Sequence, residues 1–160
     1  MSIMDYKDKL LKYAVYYLSK YSSSKKNLEY ILKKKIRRLT EEKKVRYELY
    51  QEIKNITYKL EQQKLLNDIV FVESKINSLL VQAKSKNYIK QYLIRKGVEN
   101  KLADQQISNF YKKNINLEKE NAFKFAKKRN LLNDNKDFEK KLSKMARAGF
   151  SYEIAKEVLK

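Results

Sequence analysis

The chain contains no proline and only two glycines, Gly97 and Gly149. Glycine reaches positive φ without a Cβ clash, so it ends helices and forms tight turns at little cost. With so few breakers, strands joined by tight turns are hard to build, whereas long helices joined by short polar links are easy. The sequence therefore predicts an all-α protein. Both glycines open the same phrase, Gly97-Val98-x-x-x-Leu102-Ala103 and Gly149-Phe150-x-x-x-Ile154-Ala155. A helix stop that recurs in one frame predicts a helical unit used more than once.

Apolar residues recurring at three and four place the helices. The first spans Ile3 to Lys20 on Leu10, Leu11, Ala14, Tyr17 and Leu18. Tyr21-Ser22-Ser23-Ser24 ends it and offers a serine to cap the second helix, which carries Leu28, Ile31, Leu32 and Ile36. Thr40 is expected to cap a long third helix, Glu41 to Lys64, with Glu41 and Glu42 in the first turn where the dipole favours anions. Its seam is Val45, Leu49, Ile53, Ile56 and Leu60, and Tyr47, Tyr50 and Tyr58 are expected to widen that apolar face. Asn67-Asp68 caps a fourth helix, Ser85 starts a fifth that Gly97 ends, and a sixth carries Leu102, Ala103 and Ile107. Ala122, Phe123, Phe125 and Ala126 mark a seventh. After an expected linker at Asn133-Asp134-Asn135, Phe138, Leu142 and Met145 lead an eighth into Gly149, and Ser151 caps a ninth.

The glycine phrases then fall at the same joint, between the second and third helix of a triplet. In the first triplet Leu28 and Leu32 match Ile89 and Leu93, while Ile36 stands where the glycine would be. This reading predicts three tandem three-helix repeats, residues 1–64, 65–112 and 113–160, forming an elongated, curved helical stack.

Absences exclude whole classes of chemistry. With no Cys and no His, the chain has no disulfide, thiolate nucleophile, Ser-His triad or ordinary zinc site. Two distant glycines cannot form a phosphate-cradling loop. An enzyme is not expected, nor a cofactor or metal. The start carries Asp5, Lys7, Asp8 and Lys9 and lacks a signal-peptide core. The longest apolar stretches, such as Ile69-Val70-Phe71-Val72, are too short to span a bilayer. A soluble cytoplasmic protein is expected, with no membrane partner.

Charge is the strongest functional signal. Lys and Arg number 38 against 19 Asp and Glu, a net charge of +19. A field of that sign draws polyanions. The densest cluster is Lys33, Lys34, Lys35, Arg37 and Arg38, followed by Lys43, Lys44 and Arg46; Arg95, Lys96, Lys127, Lys128 and Arg129 come second. These are the candidates for contact with nucleic acid or an acidic partner, set against their plainer role in solubility and helix C-terminal charge complementarity.

Three stretches together resemble the RecX regulatory proteins. They are Leu65-Leu66-Asn67-Asp68-x-x-Phe71-Val72 with Ile89-Lys90-Gln91-x-Leu93-x-Arg95-Lys96-Gly97-Val98, the ending Ala148-Gly149-Phe150-Ser151-Tyr152-Glu153-Ile154-Ala155, and the opening Ala14-x-x-Tyr17-Leu18 with Leu28-x-x-x-Leu32-x-x-Lys35. Two positions depart from the family pattern: Asn67 replaces one of two acidic residues, and Ala148 stands where a basic residue is usual. The resemblance implies a non-enzymatic modulator that lodges in the groove of the RecA filament on single-stranded DNA. It would suppress ATP hydrolysis, strand exchange and repressor cleavage there. The monomer is the expected state. Two other readings stay open: a general basic helical domain that binds DNA directly, and a coiled-coil dimer formed on the Val45 to Leu60 seam.

Overall fold

The structure is a computed structural model that describes residues 1–133 and 137–160. Two residues of the expected linker, Asp134 and Asn135, lie outside the described residues. Among those described there are nine α-helices and no strand. They are α1 (Ile3–Lys20), α2 (Lys25–Leu39), α3 (Lys43–Gln62), α4 (Asp68–Val81), α5 (Lys86–Arg95), α6 (Asn100–Lys113), α7 (Leu117–Lys128), α8 (Phe138–Arg147) and α9 (Tyr152–Leu159). The fold is all-α, as the sequence predicts.

The chain forms two compact units, one of residues 1–71 with 96–98, the other of residues 72–95 with 99–160. In the first, α1, α2 and α3 pack on one another. Their core is almost wholly branched aliphatic: Leu10, Leu28, Leu32, Ile36, Leu49, Ile53, Ile56, Leu60 and Leu66, with one alanine, Ala14. The whole α3 seam from Leu49 to Leu60 is therefore filled by the chain's own α1 and α2, which leaves no seam for a coiled-coil partner. In the second unit α9 packs on α7 and α8. That core mixes Leu131, Met145, Phe150 and Val158 with three alanines, Ala122, Ala126 and Ala155.

Helix ends account for much of the local geometry. Ser2, Ser24 and Ser151 each accept an N–H of the first turn, at Asp5, Asn27 and Ile154. Asn67 Oδ1 accepts from Ile69 and Val70 N–H at 2.9 and 3.3 Å, so the expected cap of α4 is present. Thr40 differs from expectation. It closes α2 with its own N–H bonded to Ile36 O, and its hydroxyl accepts from Glu42 N–H at 3.2 Å. That short turn competes with helix, so α3 starts at Lys43 and Glu41 and Glu42 fall outside it. Tyr47 and Tyr58 also differ, being 66% and 64% exposed on the outer side of α3; only Tyr50 joins the core edge.

Glycine is not the only left-handed helix stop. Lys64, Ala83 and Asn130 hold φ of 59°, 59° and 54°. At each, the next residue's N–H returns to a carbonyl one turn back: Leu65 to Leu60, Lys84 to Leu79, Leu131 to Ala126. Gly149 ends α8 the same way, through Phe150 N–H to Met145 O at 3.1 Å.

The two glycines are needed because something packs against them. A Cβ on Gly97, at φ 81°, would stand 2.6 Å from Lys26 Cβ; one on Gly149, at φ 94°, would stand 2.4 Å from Ser85 Oγ. Each corner seats on the N-terminus of a preceding helix through matched bonds. Ser24 caps α2 and donates its hydroxyl to Lys96 O, just before Gly97. Ser85 accepts from Tyr88 N–H at 3.1 Å and donates to Ala148 O at 2.7 Å, just before Gly149. One residue on, Lys25 N–H donates to Asp68 Oδ1 at 2.8 Å, and Lys86 N–H donates to both oxygens of Glu118 at 3.1 and 3.0 Å. A serine, a free helix N–H, a carboxylate and a glycine corner thus recur as one joint, used twice.

Candidate functional site

The basic candidates do not form one surface of equivalent charges. On α2, Leu28, Leu32 and Ile36 turn inward, so Lys33, Lys34, Arg37 and Arg38 are left exposed on the outer side. Lys34 Nζ lies 5.2 Å from the Tyr30 ring and Lys35 Nζ lies 4.6 Å from the Tyr13 ring. Lys43 and Lys44 are exposed at the start of α3. Arg46 has a different role. Its Nε donates to Thr40 O at 2.6 Å and its terminal nitrogen donates to Arg37 O at 3.0 Å, so it satisfies the open carbonyl end of α2.

In the second unit the cations gather at helix C-termini. Arg95 and Arg129 are exposed, as are Lys127 and Lys128, while the half-buried Lys96 belongs to the first unit with Gly97. Around Arg129 there is a cavity of about 500 Å3 lined by Ala83, Lys84, Tyr88, Phe125, Arg129, Lys144, Arg147 and Ala148. Four of these residues are cationic and none is acidic. Lys84 Nζ sits 4.6 Å and the Arg95 guanidinium 5.9 Å from the Tyr88 ring, and the Arg129 guanidinium sits 5.6 Å from Phe125. Lys84, Lys144 and Arg147 are absent from the sequence-based candidates because they are far apart in the chain. A signal does exist: Lys84, Arg129 and Arg147 each lie within two positions of a left-handed residue, Ala83, Asn130 or Gly149, and Lys144 lies one helical turn before Arg147. Corners of that kind bring helix ends together.

The carboxylate of the second joint lies in a distinct environment. Glu118 accepts the Tyr111 hydroxyl at 3.0 Å besides the Lys86 N–H. Burial pushes its carboxyl above its ordinary value, against the opposing pull of those hydrogen bonds and of the Lys86 charge. Burial, with the nearby Glu118 charge, also pushes the Tyr111 phenol up. At the first joint Lys25 Nζ pairs with Glu61 at 2.5 Å, and this bond raises the Lys25 ammonium. Among the described residues no group of His, Cys, Asp and Glu could hold a metal ion, and no helix is long and apolar enough to cross a membrane.

These features define an all-α protein with strongly basic outer faces, in which the carboxylates at the joints accept from N–H groups at helix starts. No family model matches the sequence, and no curated protein matches it. Solved structures do match. The chain is similar to RecX from Lactobacillus salivarius with a TM-score of 0.72 and 26% identity, over 98% of this chain and 96% of that one. It is also similar to a structure described as regulatory protein RecX, with a TM-score of 0.70 and 20% identity over 98% of this chain and 72% of that one. The chain has a RecX-like fold.

Proposed function

We propose that the chain is a cytoplasmic, non-enzymatic regulator that binds the RecA filament on single-stranded DNA and lowers its activity. The likeness to RecX over 98% of the chain carries this reading. The recurring joint supports it too. Matched bonds at Ser24 and Ser85 fit three tandem repeats, 1–64, 65–112 and 113–160, and a repeating body suits a partner that itself repeats. The outer face of α2, with Lys33, Lys34, Arg37 and Arg38, is the proposed filament contact, and Lys35, Lys43 and Lys44 extend it. Arg95, Lys127, Lys128 and Arg129 are the proposed contact of the second unit, and Lys96 is a further candidate in the first. The protein acts as a monomer, since its α3 seam is already filled.

The test is a titration into RecA-dependent ATP hydrolysis on single-stranded DNA, with DNA coverage followed by gel shift in parallel. Inhibition well below the concentration that coats the DNA is expected. Inhibition only at coating levels would favour the general nucleic-acid-binding reading, which the net charge of +19 recommends.

A further inference from the structure

We infer that the cavity lined by Lys84, Tyr88, Phe125, Arg129, Lys144 and Arg147 binds one nucleotide of a single-stranded nucleic acid directly. Its phosphate meets the cations and its base meets the aromatic lining.

Two of these cations lie against rings, Lys84 on Tyr88 and Arg129 on Phe125, and among the described residues none of Lys84, Arg129, Lys144 and Arg147 has an ion pair. A carboxylate partner would neutralise a cation and occupy its donors. An aromatic face steadies the same cation while leaving its charge and N–H groups for a ligand. Two of the four cations are arginines, whose planar fork matches two oxygens of one phosphate. Part of this charge complements the helix C-termini that end at Val81, Lys128 and Arg147. Two of the nearby carbonyls already have side-chain donors, however, Lys84 O from Asn121 and Ala148 O from Ser85. The volume of about 500 Å3 is that of a small-ligand pocket. A duplex turns its base faces inward, whereas a single strand offers both a phosphate and a free base to a site that combines cations with rings. Neither Lys144 nor Arg147 lies in the densest sequence clusters, so the site rests on the fold and not on charge density.

The experiment follows fluorescence anisotropy of a labelled oligothymidylate about 20 nucleotides long, with the full chain and no recombinase, across a salt series. Because no recombinase is present, its outcome is independent of the filament reading. Arg129→Gln with Arg147→Gln removes two charges from the cavity, and Lys59→Gln with Lys101→Gln removes two from exposed positions elsewhere. The cavity pair is expected to weaken binding about tenfold and to flatten the slope of log affinity against log salt by about 1.4, the control pair less than about threefold. Tyr88→Leu is expected to weaken binding about fivefold or more with the slope kept, because stacking releases no counterions. Equal weakening by the two charge pairs overturns the proposal, as does displacement of the oligonucleotide by polyglutamate as readily as by unlabelled oligothymidylate. Unchanged affinity in Tyr88→Leu overturns the base contact. Matching thermal melts of the variants establish that each remains folded.

Discussion

The joint at Gly97 and the joint at Gly149 use the same four parts in different surroundings. In each, a capping serine bonds the carbonyl before a left-handed glycine, and a carboxylate takes the next free N–H of the helix. At the first joint Asp68 uses one oxygen at 2.8 Å, beside a partly exposed Lys25–Glu61 ion pair. At the second, Glu118 uses both oxygens and a tyrosine hydroxyl and is buried enough to hold its proton more tightly than usual. The geometry of a corner is thus conserved while its electrostatics are free to vary. Orphan N–H groups at a helix start must find acceptors wherever the corner docks; how wet the acceptor is depends on what else packs there. At the second joint the bond runs to the backbone carbonyl of Ala148, so it does not depend on the side chain at that position.

The largest expected effect lies beneath the joints. Leu32 and Leu93 occupy matched places on α2 and α5, both fully buried. Leu→Ala at either should cost about 2–5 kcal/mol, and similar losses in chemical denaturation would sustain their equivalence. Gly97→Ala and Gly149→Ala come next. Each forces a Cβ into positive φ and into a neighbour, at roughly 1–3 kcal/mol, and thermal melting unchanged from wild type would break the docking account. Ser24→Ala and Ser85→Ala remove a cap and a cross-joint bond, costing about 0.5–2 kcal/mol each. The subtlest effect separates the two joints. The folded-state pKa of Glu118 is raised, so its contribution to stability is complete below its ordinary value of 4.5 and is lost as pH rises through the raised value. The melting-temperature gap between wild type and Glu118→Gln should therefore shift toward the variant as pH increases over that window. A gap that ignores pH would contradict the burial argument.

Most of this was legible from local pattern. The serine caps, the Asn67 cap and the glycine stops follow from short-range chemistry, and the buried seams follow from periodicity. What escaped depends on contacts remote in sequence. Thr40 looks like an N-cap, yet its turn with Glu42 and the Arg46 side chain over the carbonyls of Arg37 and Thr40 assign it to the end of α2. Tyr47 and Tyr58 sit at helical spacing, but α1 and α2 fill only one side of α3, which leaves those two rings in solvent. Lys64, Ala83 and Asn130 take left-handed positions that composition alone assigns to glycine, because the returning hydrogen bonds compensate the modest strain. The cavity around Tyr88 was invisible for the same reason. Its cations come from three helix ends that only the corners bring together.

The central claim is that this chain engages an assembled recombinase filament. Co-sedimentation with preformed RecA filaments on single-stranded DNA, against the same DNA alone, tests it most directly. The account predicts saturable pelleting with the filament that persists at salt high enough to release the chain from bare DNA. Pelleting that is equal with and without RecA, and is lost at the same salt, would contradict it.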